Sequence, residues 1–441
     1  MSNEHVKLDR RLSTISAAMF GLSYMSPLVV IATFGAIAVK TGGAVATAYV
    51  VATLAMLATA ASYGFMASRN PVAGSAYTYT SKVFGPLSGF AVGWVLLLDY
   101  FFIPMVICLL TATSLSTLAP EIPFPVWVAA VALLSTIINI LGIKLTDRVN
   151  LVIMAIQLVM VAMLAYLCVA AIQHIPEGAL FSAKPFTNDA TNWSMIMAGA
   201  AIACYSFLGF DAISTLSEET VDPRRSIPRA IMIATLLGGG IFMIATYLMM
   251  VVHPALTFES IDTAAYEIVG EVGGETFKTV FTVVVAIAFF AAGLCAHASA
   301  SRLLLVMGRD NVIPAMPFAY INPRFKTPVV NTVLVGVVML GAMKFDISTS
   351  TAFINFGAFT AFFAVNLCVI AFLMKRPDER KGRTALMAVA VIGALFCASL
   401  FMSLDRLAIE LGLSWLALGI VYLLAKTRIL TRPLPTMTSD V

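Results

Sequence analysis

Charge is scarce in this chain. Asp, Glu, Lys and Arg make up 11% of its 441 residues, where a water-soluble domain carries about a quarter. With 60% hydrophobic residues and a mean hydropathy of +0.95, such a chain would not stay dispersed in water. Cysteine is sparse too. The six cysteines (108, 168, 204, 295, 368 and 397) all fall inside apolar runs and form no Cys-x-x-Cys pair. That spacing argues against a disulfide framework or a metal site and leaves the thiols as small hydrophobes. The four histidines (5, 174, 253 and 297) are scattered. No Walker loop, Gly-x-Ser-x-Gly or His-Glu-x-x-His occurs, which argues against an ATP-driven pump, a membrane enzyme or a resident cofactor. The net charge of +4 is spread among loops, so nucleic acid is not an expected partner.

Long apolar runs are what the chain has in quantity. A membrane span needs about 20 mostly apolar residues, and spans are predicted over 14–39, 44–67, 87–118, 126–143, 149–172, 193–217, 229–252, 277–307, 328–343, 350–374, 384–403 and 408–426. The fold class expected is an all-α polytopic membrane protein with twelve transmembrane helices. The first run is too long for a cleaved signal and stays as a span. An even number puts both termini on one side. On that assignment 22 of the 27 basic residues fall on the side of the termini, which marks it as cytoplasmic. The division that follows is a cytoplasmic tail (1–12), a core of ten spans (13–374), two further helices (375–426) and a second cytoplasmic tail (427–441). The largest outer stretch, His253 to Lys278, carries five acids; it is expected to be a solvated loop with a short surface helix, and an outer lid is its second reading.

Two spans carry breaking residues. In the first, Gly21-Leu-Ser-Tyr-Met-Ser-Pro27 puts a Gly and a Pro within one apolar run, and Pro removes a helix hydrogen bond. In the sixth, Phe207-Leu-Gly209-Phe precedes Asp211. A break inside the bilayer frees backbone N–H and C=O groups that lipid cannot satisfy, so it persists where those groups line a cavity. Paired breaks in corresponding positions of two halves point to an inverted-repeat transporter, here argued from hydropathy alone.

Asp211 is an acid at membrane depth, where such residues are seldom idle. It is expected to bind a substrate ammonium or to take up and release a coupling proton; the alternative is a structural acceptor for the N–H groups freed at the break. Asp99 and Tyr100, in the middle of span 3, must point into the bundle or a wet cavity. Two acids suit a cation, and the Tyr100 ring can face an ammonium; a bond from Asp99 to a neighbouring Ser or Tyr and plain packing of Tyr100 are the bland readings. Ser23, Tyr24, Met25 and Ser26 offer carbonyls and hydroxyls at the first break, and Phe207 and Phe210 are expected as gate and aromatic wall. His297 sits with Ser299 and Ser301, as a proton relay or, more in keeping with its place, a satisfied packing histidine. Glu218, Glu219, Arg225, Arg302 and Arg309 are expected either as an inner ion-pair network holding a gate or as ordinary interfacial charge.

At these residues the chain resembles the amino acid–polyamine–organocation superfamily, and within it most resembles the bacterial putrescine-importer branch. The matching stretches are Gly74-Ser-Ala-Tyr-Thr-Tyr79, Gly93-Trp94 with Leu98-Asp99-Tyr100, and Phe207 through Asp211 on to Ser217-Glu-Glu-Thr220 and Pro228. His297-Ala-Ser-Ala-Ser-Arg302 through Met307-Gly-Arg-Asp-Asn311 and Ile354-Asn-Phe-Gly-Ala358 match as well. They run in order along nearly the whole chain. The resemblance implies a five-plus-five inverted repeat with discontinuous helices 1 and 6, two added helices, alternating access and uptake driven by protons.

Three positions depart from the family's patterns. Amine importers of this branch carry an Asp before the Thr-Phe-Gly of helix one, where this chain has Ala32. Many amino-acid members carry Gly-Ser-Gly at the first break, where this chain has Met25-Ser26-Pro27. Several amino-acid members carry Lys where this chain has Gln157, which excludes a lysine-based coupling scheme and shifts the proton to Asp211, Asp99 or Glu218. The expected function is a secondary active importer of a small amine-bearing solute in the inner (plasma) membrane of a bacterium. A polyamine such as putrescine leads and an amino acid is second, with protons and membrane lipid as further partners. A channel or sensor on the same scaffold is the competing class. A channel would show polar faces along several whole helices, and a sensor a large soluble output domain; neither is present in the sequence.

Overall fold

The computed structural model describes residues 10–427 except 175–179, 189–190, 262, 346, 377, 379–381 and 405. Most of the two expected tails therefore lies outside the described residues. The described chain is helical, and its one strand-like contact is an isolated parallel bridge between Leu12 and Thr220. Ten helices are long and apolar enough to cross a membrane. A bent pair, α1 (Thr14–Met25) and α2 (Val30–Lys40), passes the same test together. The crossing helices are α3 (Val45–Arg69), α5 (Pro86–Leu118), α6 (Phe124–Leu141), α7 (Ile143–Ile172), α8 (Trp193–Ala203) with its 3-10 continuation to Leu216, α9 (Pro223–Val252), α10 (Ala264–Arg309), α13 (Ile347–Lys375), α14 (Thr384–Met402) and α15 (Arg406–Lys426). Between them lie α4 (Ser75–Phe84), α11 (Ala315–Phe318) and α12 (Val329–Met339), the last of which runs into a 3-10 turn to Met343. The run expected over 328–343 is thus helical but shorter than a full crossing.

Both expected breaks are present. The first has local causes. Ser26 adopts φ 53, Pro27 lacks an N–H, and the two halves diverge by 56°. Ser13 caps the start of α1 by accepting from the Ser16 N–H at 3.1 Å. In the other break, α8 tightens into a 3-10 turn (Cys204–Phe207), Leu208 turns extended, and Gly209 takes φ +118 before a second 3-10 segment, Asp211–Leu216. That φ is cheap for glycine alone. A Cβ on Gly209 would also strike the Tyr24 ring, so the second break presses against the first.

Two bodies enclose the breaks. One is α3 packed on α9 with α1 and α8; Tyr49 bonds Thr33 at 2.9 Å and Ser206 at 3.1 Å, tying spans 1, 2 and 6. The other is α5 against α10 and α13, with α6, α7 and α12 beside it. Leu133, Leu134, Val159, Leu395 and Val421 are exposed on outward faces, as suits contact with acyl chains.

The stretch from His253 differs from a simple solvated loop. α10 begins at Ala264 and kinks at Gly274 (φ 74), so its first part is a separate short helix. Ala264, Ala265, Ile268 and Val269 on that part are buried, Phe258 meets the Phe34 ring edge-on, and a Cβ on Gly35 would strike the carbonyl of Ile261. The segment lies over α2 as a cover.

Candidate functional site

Asp99, Tyr100 and Asp211 meet between the two bodies. The Tyr100 hydroxyl donates to Asp211 Oδ2 at 3.1 Å, and both acids are 2% exposed. The two carboxyls lie within electrostatic reach of each other, and Tyr24 lies within reach of both. Gly357 of α13 makes room for this corner, since a Cβ there would sit 2.8 Å from the Asp99 nitrogen.

The two acids are engaged differently. Asp211 accepts from the Tyr100 hydroxyl and opens a 3-10 turn in which the Ala212 N–H donates to the Gly209 carbonyl at 3.2 Å and the Ser214 hydroxyl to the Asp211 carbonyl at 2.6 Å. Asp99 Oδ1 is buried with no hydrogen-bond partner among the described residues. An unpaired carboxylate oxygen in a dry site is costly unless something arrives to pair it. Ser23 Oγ, Tyr63 Oη and Gln157 Nε2 are likewise buried and unpartnered among the described residues. The Gln157 carbonyl accepts from the Ser26 hydroxyl at 3.1 Å, joining α7 to the first break.

A cavity of about 30 Å³ lies beside this corner, lined by Tyr24, Met25, Ser26, Tyr205, Leu208 and Phe289 among others. That volume holds about one water, so a larger solute enters only when the walls part. Tyr24, Met25 and Ser26 line it, while the Ser23 hydroxyl is buried behind them. Phe207 and Phe210 pack elsewhere: Phe207 lies edge-on against Phe242, and Phe210 against Tyr63 and Phe362. Tyr205 and Leu208 occupy the wall expected of those two rings. Ile103 and Ile107, which also line the cavity, sit three and seven residues beyond Tyr100, a helical-face spacing legible in the sequence.

Toward the end that holds Leu12 and Thr220, the chain is closed by charge. Arg302 grips Glu219 Oε2 with Nε at 3.0 Å and Nη2 at 2.7 Å, the side chains being 7% and 3% exposed. Arg309 pairs with Glu218 at 2.6 Å, so Glu218 stands in this network and not beside the other two acids. The Glu219 carbonyl accepts from the Arg11 and Leu12 N–H groups, and Val221 N–H donates to the Leu12 carbonyl. Tyr77 donates to Asp310 at 2.8 Å. His297 is placed as a satisfied bridge: Nε2 donates to the Thr332 carbonyl at 2.7 Å and Nδ1 meets the Ser135 hydroxyl at 3.0 Å, joining α10 to α12 and α6. Among the described residues no group of three or more His, Cys, Asp or Glu is arranged to hold a metal ion.

Comparison with known proteins gives the same outline. A family profile described as amino acid permease matches residues 12–421. The chain is 39% identical over 439 residues to the low-affinity putrescine importer PlaP of Escherichia coli, covering 98% of this chain and 97% of that protein. It is 26% identical to the branched-chain amino acid permease BcaP of Bacillus subtilis, covering 94% and 92%, and 25% identical to a methylthioribose transporter of the same organism, covering 95% and 93%.

Proposed function

Because the chain belongs to the amino acid permease family, and is thereby a transporter and not an enzyme, we propose that it imports a small amine, a diamine of the putrescine kind leading, across a bacterial inner membrane with a proton as coupling ion. The carrying observation is the buried Asp99 Oδ1 with no partner among the described residues, set against aromatic side chains and a second acid. A protonated amine pairs that oxygen and offers further donors to nearby hydroxyls and carbonyls. Tyr24 and Tyr100 present ring faces to the cation, and Asp211 adds negative potential from behind Tyr100. In the empty carrier a proton on Asp99 takes the ammonium's place, with Asp211 and Glu218 as further acids on its path.

Twelve crossings in a five-plus-five inverted repeat with two added helices complete this reading. α12 with its 3-10 extension serves as the short ninth crossing, and both termini are cytoplasmic. Solute enters past the cover over α2 and leaves past the Glu219–Arg302 pair. The body of spans 1, 2, 6 and 7 rocks against that of 3, 4, 8 and 9. Support for this division comes from the bonds that cross it. Tyr100 to Asp211 and Arg302 to Glu219 are polar and separable, whereas α3 on α9 is a dense apolar contact.

The test is uptake of labelled 1,4-diaminobutane into vesicles holding the purified protein, with and without an inward proton gradient. Saturable, gradient-stimulated uptake is expected, with Asp99→Asn losing at least tenfold, about 1.4 kcal/mol. Uptake that rises without saturation would mark a channel, and an Asp99→Asn variant with unchanged uptake would remove Asp99 from the site.

A further inference from the structure

The cover over α2 is fastened at His253, and we propose that this fastening is a proton latch. His253 holds the cover down as an imidazolium, so acid on that face of the molecule closes the entry and alkali frees it. The latch acts on the protein and not on the solute, and so goes beyond the import reading above.

The bonds at the two ring nitrogens carry this. His253 stands at the end of α9. Its Nδ1 lies 3.1 Å from Glu271 Oε2, and its Nε2 lies 3.3 Å from the Thr257 carbonyl oxygen. A carboxylate and a carbonyl both accept, whereas a neutral imidazole carries a single N–H. Either neutral tautomer therefore sets a nitrogen lone pair against an oxygen. The imidazolium donates to both oxygens, and its charge strengthens the bond to the carboxylate.

The latch reaches the entry through rings and backbone. The His253 ring stacks on Phe258 with centroids 5.2 Å apart, and Phe258 meets Phe34 of α2 edge-on at 6.2 Å. Glu271 stands on the first part of α10, before the kink at Gly274, so the Nδ1 bond ties that short helix to the end of α9. Glu267, one turn earlier, keeps the connection in shape: it accepts from the Glu259 and Ser260 N–H groups at 3.1 and 3.3 Å and from the Thr263 hydroxyl at 3.0 Å. The Ile261 carbonyl, in the same connection, sits where a Cβ on Gly35 would be. One proton on one ring thus bears on a segment seated on α2 at two points.

The charged groups around the ring are Glu271 and Glu267 on α10 and Glu259 in the connection. Lys278, past the kink, pairs with Glu275 at 3.6 Å, and α2 brings Lys40 in its last turn. Carboxylates ordinarily titrate at about 4 and ammonium groups at about 10, so between about pH 8 and about pH 5.5 the imidazole is the group type here that changes charge. Water reaches the pair, the side chains being 23% and 55% exposed, so the effect is screened and moderate.

The test is a distance across the entry, read by pulsed electron paramagnetic resonance on the full chain in micelles without solute. Spin labels are placed on Lys40→Cys in α2 and Ser260→Cys in the cover; the six native cysteines are buried. Between about pH 8 and about pH 5.5 the ratio of covered to open distances should rise at least about threefold. His253→Phe, which keeps a ring on Phe258 but binds no proton, should give one ratio at both pH values. Glu271→Gln, which keeps an acceptor oxygen without the charge, should lose roughly half of the response or more. A wild-type ratio that ignores pH, or that falls in acid, overturns the latch, as does a full response in His253→Phe. Should that variant not fold, an undiminished response in Glu271→Gln overturns it instead. Each of these outcomes leaves the amine reading untouched.

Discussion

Replacing Arg302 by Met is the sharpest test of the closed end. Arg302 and Glu219 are held at 3.0 and 2.7 Å with 7% and 3% of their side chains exposed, so neither charge has water to fall back on. The adjoining cavity, lined by Asn139, Glu219, Ser301, Arg302 and Thr332, is about 10 Å³, at or below the size that admits a water. Arg302→Met therefore takes from a buried carboxylate the guanidinium that holds it through two N–H groups, and removing one partner of such a pair costs about 3–5 kcal/mol. Glu219→Leu strands the guanidinium at similar cost. The double variant removes both charges together, and apolar replacements of both partners are often neutral. A coupling of about 3 kcal/mol or more is expected in the double-mutant cycle, measured by denaturant unfolding in micelles. The same pair secures the N-terminal segment, because the Glu219 carbonyl holds the Arg11 and Leu12 N–H groups. A loss of about 3 kcal/mol is roughly a hundredfold in an opening equilibrium, so amide exchange at Leu12 and Val221 should accelerate by that factor in each single variant and recover in the double. Additive destabilisation, or exchange that ignores all three variants, would refute the reasoning.

Other outcomes follow from single positions. Gly209→Ala combines a positive φ with a Cβ that meets the Tyr24 ring; it should lower stability by about 1–3 kcal/mol and abolish uptake, and normal uptake would mean that the break can reshape. Trp415→Phe keeps the stack on Trp94, whose ring centroid is 5.2 Å away, but deletes the indole bond to the Trp94 carbonyl at 2.7 Å. A loss of about 1–2 kcal/mol in the unfolding midpoint is expected, with transport retained. His297→Gln should destabilise by about 1–3 kcal/mol while leaving the pH profile of uptake where it was; a displaced profile would make His297 a proton relay. Ser26→Ala removes the hydroxyl that donates to Gln157 at 3.1 Å, leaving the buried amide without its bond. Stability should drop by about 1 kcal/mol or more, and a silent variant would show the link across spans 1 and 5 to be dispensable.

The breaks were legible in the sequence because glycine and proline act locally. Pro27 cannot donate wherever it stands, and Gly209 adopts φ +118 where a Cβ would resist. Span limits were legible from hydropathy, which needs no knowledge of neighbours; the sixth run, expected over 193–217, is helical from Trp193 to Leu216 apart from the turn at Leu208–Phe210. The wall of the cavity was not. Phe207 and Phe210 stand beside the break, but the turn at Leu208 rotates them toward Phe242 and Phe362, and a rotation set by two adjacent dihedrals leaves no trace in composition. Asp99 and Asp211 were both recognisable as acids at membrane depth. Which of them keeps an oxygen free depends on what the tertiary fold sets beside it: the Tyr100 hydroxyl reaches Asp211, and no described residue bonds Asp99 Oδ1. Arg302 and Glu219 lie 83 residues apart, so their pairing belongs to the tertiary fold, as does the burial of one face of the segment over α2.

The aromatic seam between α5 and α15 bears on how small a working version of this molecule could be. Phe90, Trp94, Trp415 and Tyr422 stack with ring planes 14–23° apart, and the two tryptophans each donate to the other's backbone carbonyl. A chain halted at Lys375 would leave Phe90 and Trp94 without their facing rings and the Trp94 indole without its acceptor. The final helical pair therefore acts as a buttress for the helix that carries Asp99, and trimming that pair away would loosen the helix.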